Sequence, residues 1–115
     1  MHSGHDSILD TVLMFNNSNF KKQIESNDFV LVYFWTKWCV PCKFMATIVE
    51  KIALRYNGKL LVGKIDAEEF SEISSKYSIS TVPTLMLFQK GAILDCLVGA
   101  VGERNLDNML KEHIK

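Results

Sequence analysis

Val30-Leu31-Val32-Tyr33-Phe34-Trp35-Thr36-Lys37-Trp38-Cys39-Val40-Pro41-Cys42-Lys43 is the stretch of this chain that decides its fold. It opens as a nearly continuous apolar run, the composition of a central strand covered on both faces. It then passes through two cysteines, spaced Cys-x-x-Cys, into a segment of helical periodicity. Two thiols at that spacing, where a strand gives way to a helix, form a dithiol that can close into a small disulfide ring. The first thiol also meets the unpaired N–H groups and partial positive charge of a helix start, which favour a thiolate. Zinc sites use the same spacing, so the cysteines alone leave redox chemistry and metal binding both open. Trp38, Pro41 and the buried strand before them favour redox.

Working outward, the segment after the cysteines carries the clearest helical stripe. Met45, Ile48, Val49, Ile52, Ala53 and Tyr56 share one face, and Asn57-Gly58 stops the helix. Upstream, residues 11–15 read as a first strand and Asn16 to Asn19 as helix-cap candidates. Phe20 and Ile24 line a short helix that Asn27-Asp28 breaks. Downstream, residues 60–65 predict a third strand, and residues 68–77 a shorter helix with Phe70, Ile73 and Tyr77 on one side. Residues 84–88 and 93–98 flank Gln89-Lys90-Gly91, a hairpin turn. Leu106, Met109, Leu110 and Ile114 stripe a final helix. The order β-α-β-α-β-α-β-β-α predicts an α/β fold, with a central mixed β-sheet flanked by helices on both faces and antiparallel strands at one edge.

Composition narrows the partners. The 115 residues are 48% hydrophobic, enough for one core, and thirteen basic residues cancel thirteen acidic ones. Without a basic excess, neither nucleic acid nor a membrane surface is an expected partner. No apolar run approaches the roughly 20 residues of a membrane span. Met1 to Ser7 lacks the basic and apolar regions of a secretory signal. Residues 1–10 are expected to be a polar lead-in, disordered or carried over from expression, and residues 11–115 a single domain. Three cysteines are too few for a disulfide scaffold, so the close pair reads as redox or metal chemistry in the cytoplasm.

These residues resemble the thioredoxin family. Its active site is similar to Trp38-Cys39-Val40-Pro41-Cys42-Lys43, preceded by the aromatic pair Phe34-Trp35. A second motif, Val82-Pro83-Thr84, lies about forty residues downstream, and in the family that proline is cis and packs against the cysteines. Lys90-Gly91 matches the family's hairpin, and Val98-Gly99-Ala100 its glycine beside the substrate groove. The resemblance covers residues 11–115 and implies the thioredoxin fold. It also implies a redox-active thiol–disulfide oxidoreductase that works as an electron carrier. No bound cofactor or metal is expected. Electrons would come from NADPH through a thioredoxin reductase, the partners would be that reductase and disulfide-containing proteins, and the chain would act as a monomer.

Roles follow residue by residue. Cys39, at the helix start, is the candidate nucleophile, and Cys42, one turn further in, the resolving thiol. Pro41 removes an N–H donor and stiffens the loop, and Val40 replaces the usual glycine with an apolar, β-branched residue. Tyr33 stands where many members carry a buried aspartate that moves the second cysteine's proton, and Lys64 stands where its lysine neighbour lies. Val40, Pro41, Tyr33 and Lys64 are therefore the expected redox-tuning set. Trp38, Val82, Pro83, Gly99 and Ala100 are the expected substrate-binding set. Thr47 replaces a kinking proline, so the long helix should run straighter. Cys96 shares strand parity with Leu94 and Val98 and is expected to be half-buried and inert. His2, His5 and His113 show no ligand spacing. Two other readings remain: a thioredoxin-like protein devoted to one partner, given Tyr33 and Val40, and a metal or iron–sulfur module.

Overall fold

In the computed structural model, which describes residues 11–115, the elements follow the predicted order. They are β1 (Val12–Met14), α1 (Phe20–Ser26), β2 (Phe29–Trp35), α2 (Val40–Arg55), β3 (Leu61–Asp66), α3 (Ser71–Lys76), β4 (Thr84–Gln89), β5 (Ala92–Val98) and α4 (Glu103–His113). The polar lead-in proposed for residues 1–10, with His2 and His5, lies outside the described residues. The strands form one five-stranded sheet in the order β1-β3-β2-β4-β5. β3 runs parallel to β1 and β2, whereas β4 is antiparallel to β2 and β5 to β4.

Alternation along β2 builds the layers, because successive side chains point to opposite faces. Leu31 and Tyr33 join a core with Met45, Val49 and Ile52 of α2 and Leu106, Met109 and Leu110 of α4. Val30, Val32 and Phe34 join a second core with Phe20 and Ile24 of α1, with Ile73 of α3 at its margin. Both faces of the sheet are thus covered. Burying each large aliphatic or aromatic side chain contributes on the order of 2 kcal/mol, so the two cores are what fix β2 in the middle. Gly63 of β3 lets Phe15 fold over the sheet, since a Cβ there would collide with the phenyl ring.

Local chemistry shifts one expected boundary and shapes a cap and a turn. The third helix begins at Ser71, not near residue 68. The Asp66 carboxylate accepts from the Glu68 and Glu69 N–H groups at 3.0 and 3.1 Å, which holds that segment in a turn. Asn19 occupies the N-cap of α1, and its carbonyl accepts the Gln23 N–H at 3.0 Å, but its side chain caps no helix N–H; the carboxamide oxygen takes the Asn16 N–H at 2.8 Å instead. The β4–β5 hairpin turns through Lys90 and Gly91, both at positive φ (49° and 88°), the conformation of a two-residue type I′ turn.

α2 is held firmly at its far end. Arg55 pairs with Glu103, and the Tyr56 hydroxyl donates to Asp107 at 2.6 Å, so the last turn is tied to α4. Its first turn instead projects from the carboxyl end of β2, where parallel strands of α/β sheets present their functional groups. No helix among the described residues is long and apolar enough to cross a membrane.

Candidate active site

Four residues carry the chain from the end of β2 into α2. The Cys39 N–H donates back to the Thr36 carbonyl at 3.3 Å, closing a turn that sets Cys39 at the N-cap. Its Sγ accepts the Cys42 N–H at 3.2 Å, the position a capping side-chain oxygen would take. Pro41 lies in the first turn, where its missing N–H is no loss. Cys39 and Cys42 are joined in a disulfide, with their Cα atoms 5.3 Å apart.

The pair sits at the border between core and surface. Cys39 is 9% exposed and Cys42 4%, so the second sulfur is the more enclosed. Around them Trp38 is 81% exposed, Val40 60% and Phe44 71%, an apolar rim unusual for a free surface. Phe44 is absent from the sequence-based site. It lies four residues after Val40 and off the buried stripe, which is the signal that marks it as a rim residue.

The second motif arrives from the other side of β2. The Val82–Pro83 peptide is cis, Pro83 is buried, and Val82 packs against both cores, one of which contains Cys39 and Cys42. The Gly99 N–H donates to the Pro83 carbonyl at 2.8 Å, bringing Gly99 to the same edge. Ala100 follows it, exposed.

Behind Cys42 lies a cavity of about 300 Å³, lined in part by Tyr33, Trp35, Cys42, Val49, Glu50 and Lys64. Lys64 pairs in register with Tyr33 and extends its ammonium 5.8 Å from the centre of the Trp35 ring, a cation–π placement at a half-buried site. Tyr33 is buried, and its hydroxyl donates to the Cys42 carbonyl at 2.5 Å. Burial pushes its phenol up to about 12. Neither that bond nor Glu50 on the cavity wall was legible beforehand. Lys37 and Lys43 are exposed.

Cys96 departs from expectation. It is exposed rather than half-buried. The ladder slips between Leu87 and Phe88, so Asp95 pairs with Leu87 but Ile93, not Leu94, pairs with Phe88. This bulge breaks the strand parity: Leu94 and Leu97 pack on the α4 side, and Cys96 turns away from them. Its thiol is nonetheless held above the ordinary value, by partial desolvation and then by the neighbouring Asp95 carboxylate. His113 is engaged with that same Asp95, its Nε2 2.8 Å from Oδ2. Among the described residues no three His, Cys, Asp or Glu side chains gather as a metal site requires.

A profile of the thioredoxin family matches residues 11–112, across the fold and both motifs. The chain belongs to the thioredoxin family. Thioredoxin 1 of Nostoc sp. is 40% identical over 99 residues, which are 85% of this chain and 92% of that protein. A Buchnera aphidicola thioredoxin is 39% identical over 107 residues, covering 92% of this chain and 99% of its own. Among solved structures, a mutant thioredoxin from Halobacterium salinarum superposes with a TM-score of 0.81 at 29% identity, over 90% of each chain. The sheet with helices on both faces is the thioredoxin fold. Cys39 and Cys42 are accordingly the redox-active disulfide of a thiol–disulfide oxidoreductase.

Proposed function

We propose that this protein is a general reductant of protein disulfides, with Cys39 as nucleophile and Cys42 as resolving thiol. The observation that carries it is the asymmetry of the pair: Cys39 caps α2 at the border between core and surface, and Cys42 lies one turn further in and is the more enclosed. In the reduced protein the helix start favours the Cys39 thiolate. That thiolate attacks one sulfur of a target disulfide; a Cys39–target bond forms and the other target sulfur leaves as a thiolate. Cys42 then gives up its proton to water and its thiolate attacks Cys39 Sγ; the Cys39–target bond breaks and the second target sulfur leaves as a thiolate, which takes a proton from water. The target gains two electrons and the pair returns to the disulfide.

Trp38, Val82, Pro83, Gly99 and Ala100 would hold the target, with its extended backbone lying along the strand edge that Gly99 and Pro83 frame. Val40 and Phe44 enlarge the apolar rim. Tyr33 replaces a base with a group that stays protonated, Pro41 stiffens the ring, and Lys64 supplies a nearby positive charge. Residues 11–115 act as one domain, a cytoplasmic monomer that carries electrons from NADPH by way of a thioredoxin reductase. The test is reduction of insulin disulfides driven by dithiothreitol. The parent protein should accelerate precipitation of the insulin B chain, and Cys39→Ser should not. Equal rates from the two would overturn the proposal.

A further inference from the structure

Tyr33 stands in the most constrained part of the fold. β2 is the middle strand, and Tyr33 is paired with Lys64 of β3 on one side and Leu85 of β4 on the other. Its ring lies in the core shared with Cys42, Met45 and Val49. From there the hydroxyl reaches the Cys42 carbonyl in a buried bond of 2.5 Å.

The first turn of α2 has few restraints of its own. Its leading N–H groups have no acceptor within the helix, Pro41 contributes none, and no acidic side chain braces it. Two ties on Cys42 run through the Cys39 sulfur: the disulfide, and the Cys42 N–H to Sγ contact at 3.2 Å. That sulfur changes partner in every cycle. The Tyr33 bond does not involve it. On the same side, the cavity of about 300 Å³ gives the turn room to drift once the disulfide opens.

We propose that the Tyr33 hydroxyl is a positioning group for the resolving thiol, clamping the Cys42 carbonyl to β2 so that Cys42 stays aimed at the Cys39 sulfur throughout the cycle. It rests on Cys42 being the resolving thiol. Tyr33 takes no proton in this scheme: its O–H keeps donating to the carbonyl, while the Cys42 proton goes to water before the thiolate attacks.

The test is a single turnover of the reduced protein with insulin, quenched in acid and read as mixed disulfide by mass. Tyr33→Phe removes one oxygen and keeps the ring. Mixed-disulfide formation should stay within about twofold of the parent, while its decay slows about fivefold, the scale of one lost buried hydrogen bond. A merely structural role would lower stability without changing that partition. Cys42→Ser is run alongside. If it releases insulin as fast as the parent, the assignment of Cys42 itself fails. If it traps the complex but Tyr33→Phe resolves at the parent's rate, only the clamp is wrong. Should Tyr33→Phe not fold, amide exchange at Ala46, whose N–H the helix directs to the Cys42 carbonyl, decides in the parent. Protection kept on reduction supports the clamp; protection lost more than about tenfold overturns it.

Discussion

The Gly99 N–H donates to the Pro83 carbonyl at 2.8 Å, locking the residue after β5 to the loop before β4. Thr84 pairs with Val98 at the same level, and its hydroxyl donates to the Thr81 carbonyl at 2.6 Å. Segments distant in sequence thus become one edge beside the cysteine loop. Gly99 holds φ at +90°, with nothing within 4 Å of where a Cβ would stand. Gly99→Ala should therefore cost about 1 kcal/mol through backbone strain alone. KM for a protein disulfide should rise severalfold, with alkylation of Cys39 unchanged, as steady-state kinetics and a thermal melt would show.

Trp38 separates substrate contact from packing. At 81% exposure it contributes little to the core, so Trp38→Ala should change stability by less than about 0.5 kcal/mol. Turnover of insulin should fall, whereas reduction of oxidised glutathione, too small to span the rim, should be nearly unaffected. A parallel fall for both would remove Trp38 from the substrate surface.

The three thiols of the reduced protein should react with iodoacetamide near neutral pH in the order Cys39, Cys96, Cys42. Cys39 gains from the helix start, and Cys42 is enclosed. Cys96 is reachable, but desolvation and Asp95 keep it protonated. Mass mapping that found Cys96 labelled first would contradict the order.

Tyr33 and Tyr56 are both pushed up to about 12, chiefly by burial, with the Asp107 bond adding to the second. For each, the folded chain holds its proton more tightly than the unfolded chain, whose tyrosines titrate near 10. The stability this represents is complete below about pH 10 and is lost as pH rises towards 12. Phenolate absorbance should show two late-ionising groups that appear with unfolding. Tyr33→Phe should leave one.

Much of this was legible because two segments state their surroundings plainly. Residues 29–35 have no polar side to offer, and the stripe from Met45 to Tyr56 has one apolar face, so β2 and α2 appear where composition puts them. The hairpin was equally plain, since Gly91 freely adopts the positive φ that the turn between two apolar strands requires. Cys96 was misplaced because parity assumes an unbroken ladder, and the extra residue at Leu94 comes from pairing with β4, not from β5 itself. The third helix lost its first turn to the Asp66 carboxylate, a local competitor that apolar periodicity does not register. The Tyr33–Cys42 bond joins residues nine positions apart across a strand–helix turn, and only the packing of α2 on β2 brings them together.

The most direct measurement of the cysteine roles is covalent trapping. Reduced Cys42→Ser and Cys39→Ser proteins are mixed with insulin, and mixed disulfides are separated without reductant and mapped by mass. Cys42→Ser should accumulate a stable complex through Cys39 in near-stoichiometric yield, and Cys39→Ser should form little or none. A stable complex through Cys42 in the Cys39→Ser protein, with none in Cys42→Ser, would reverse the assignment.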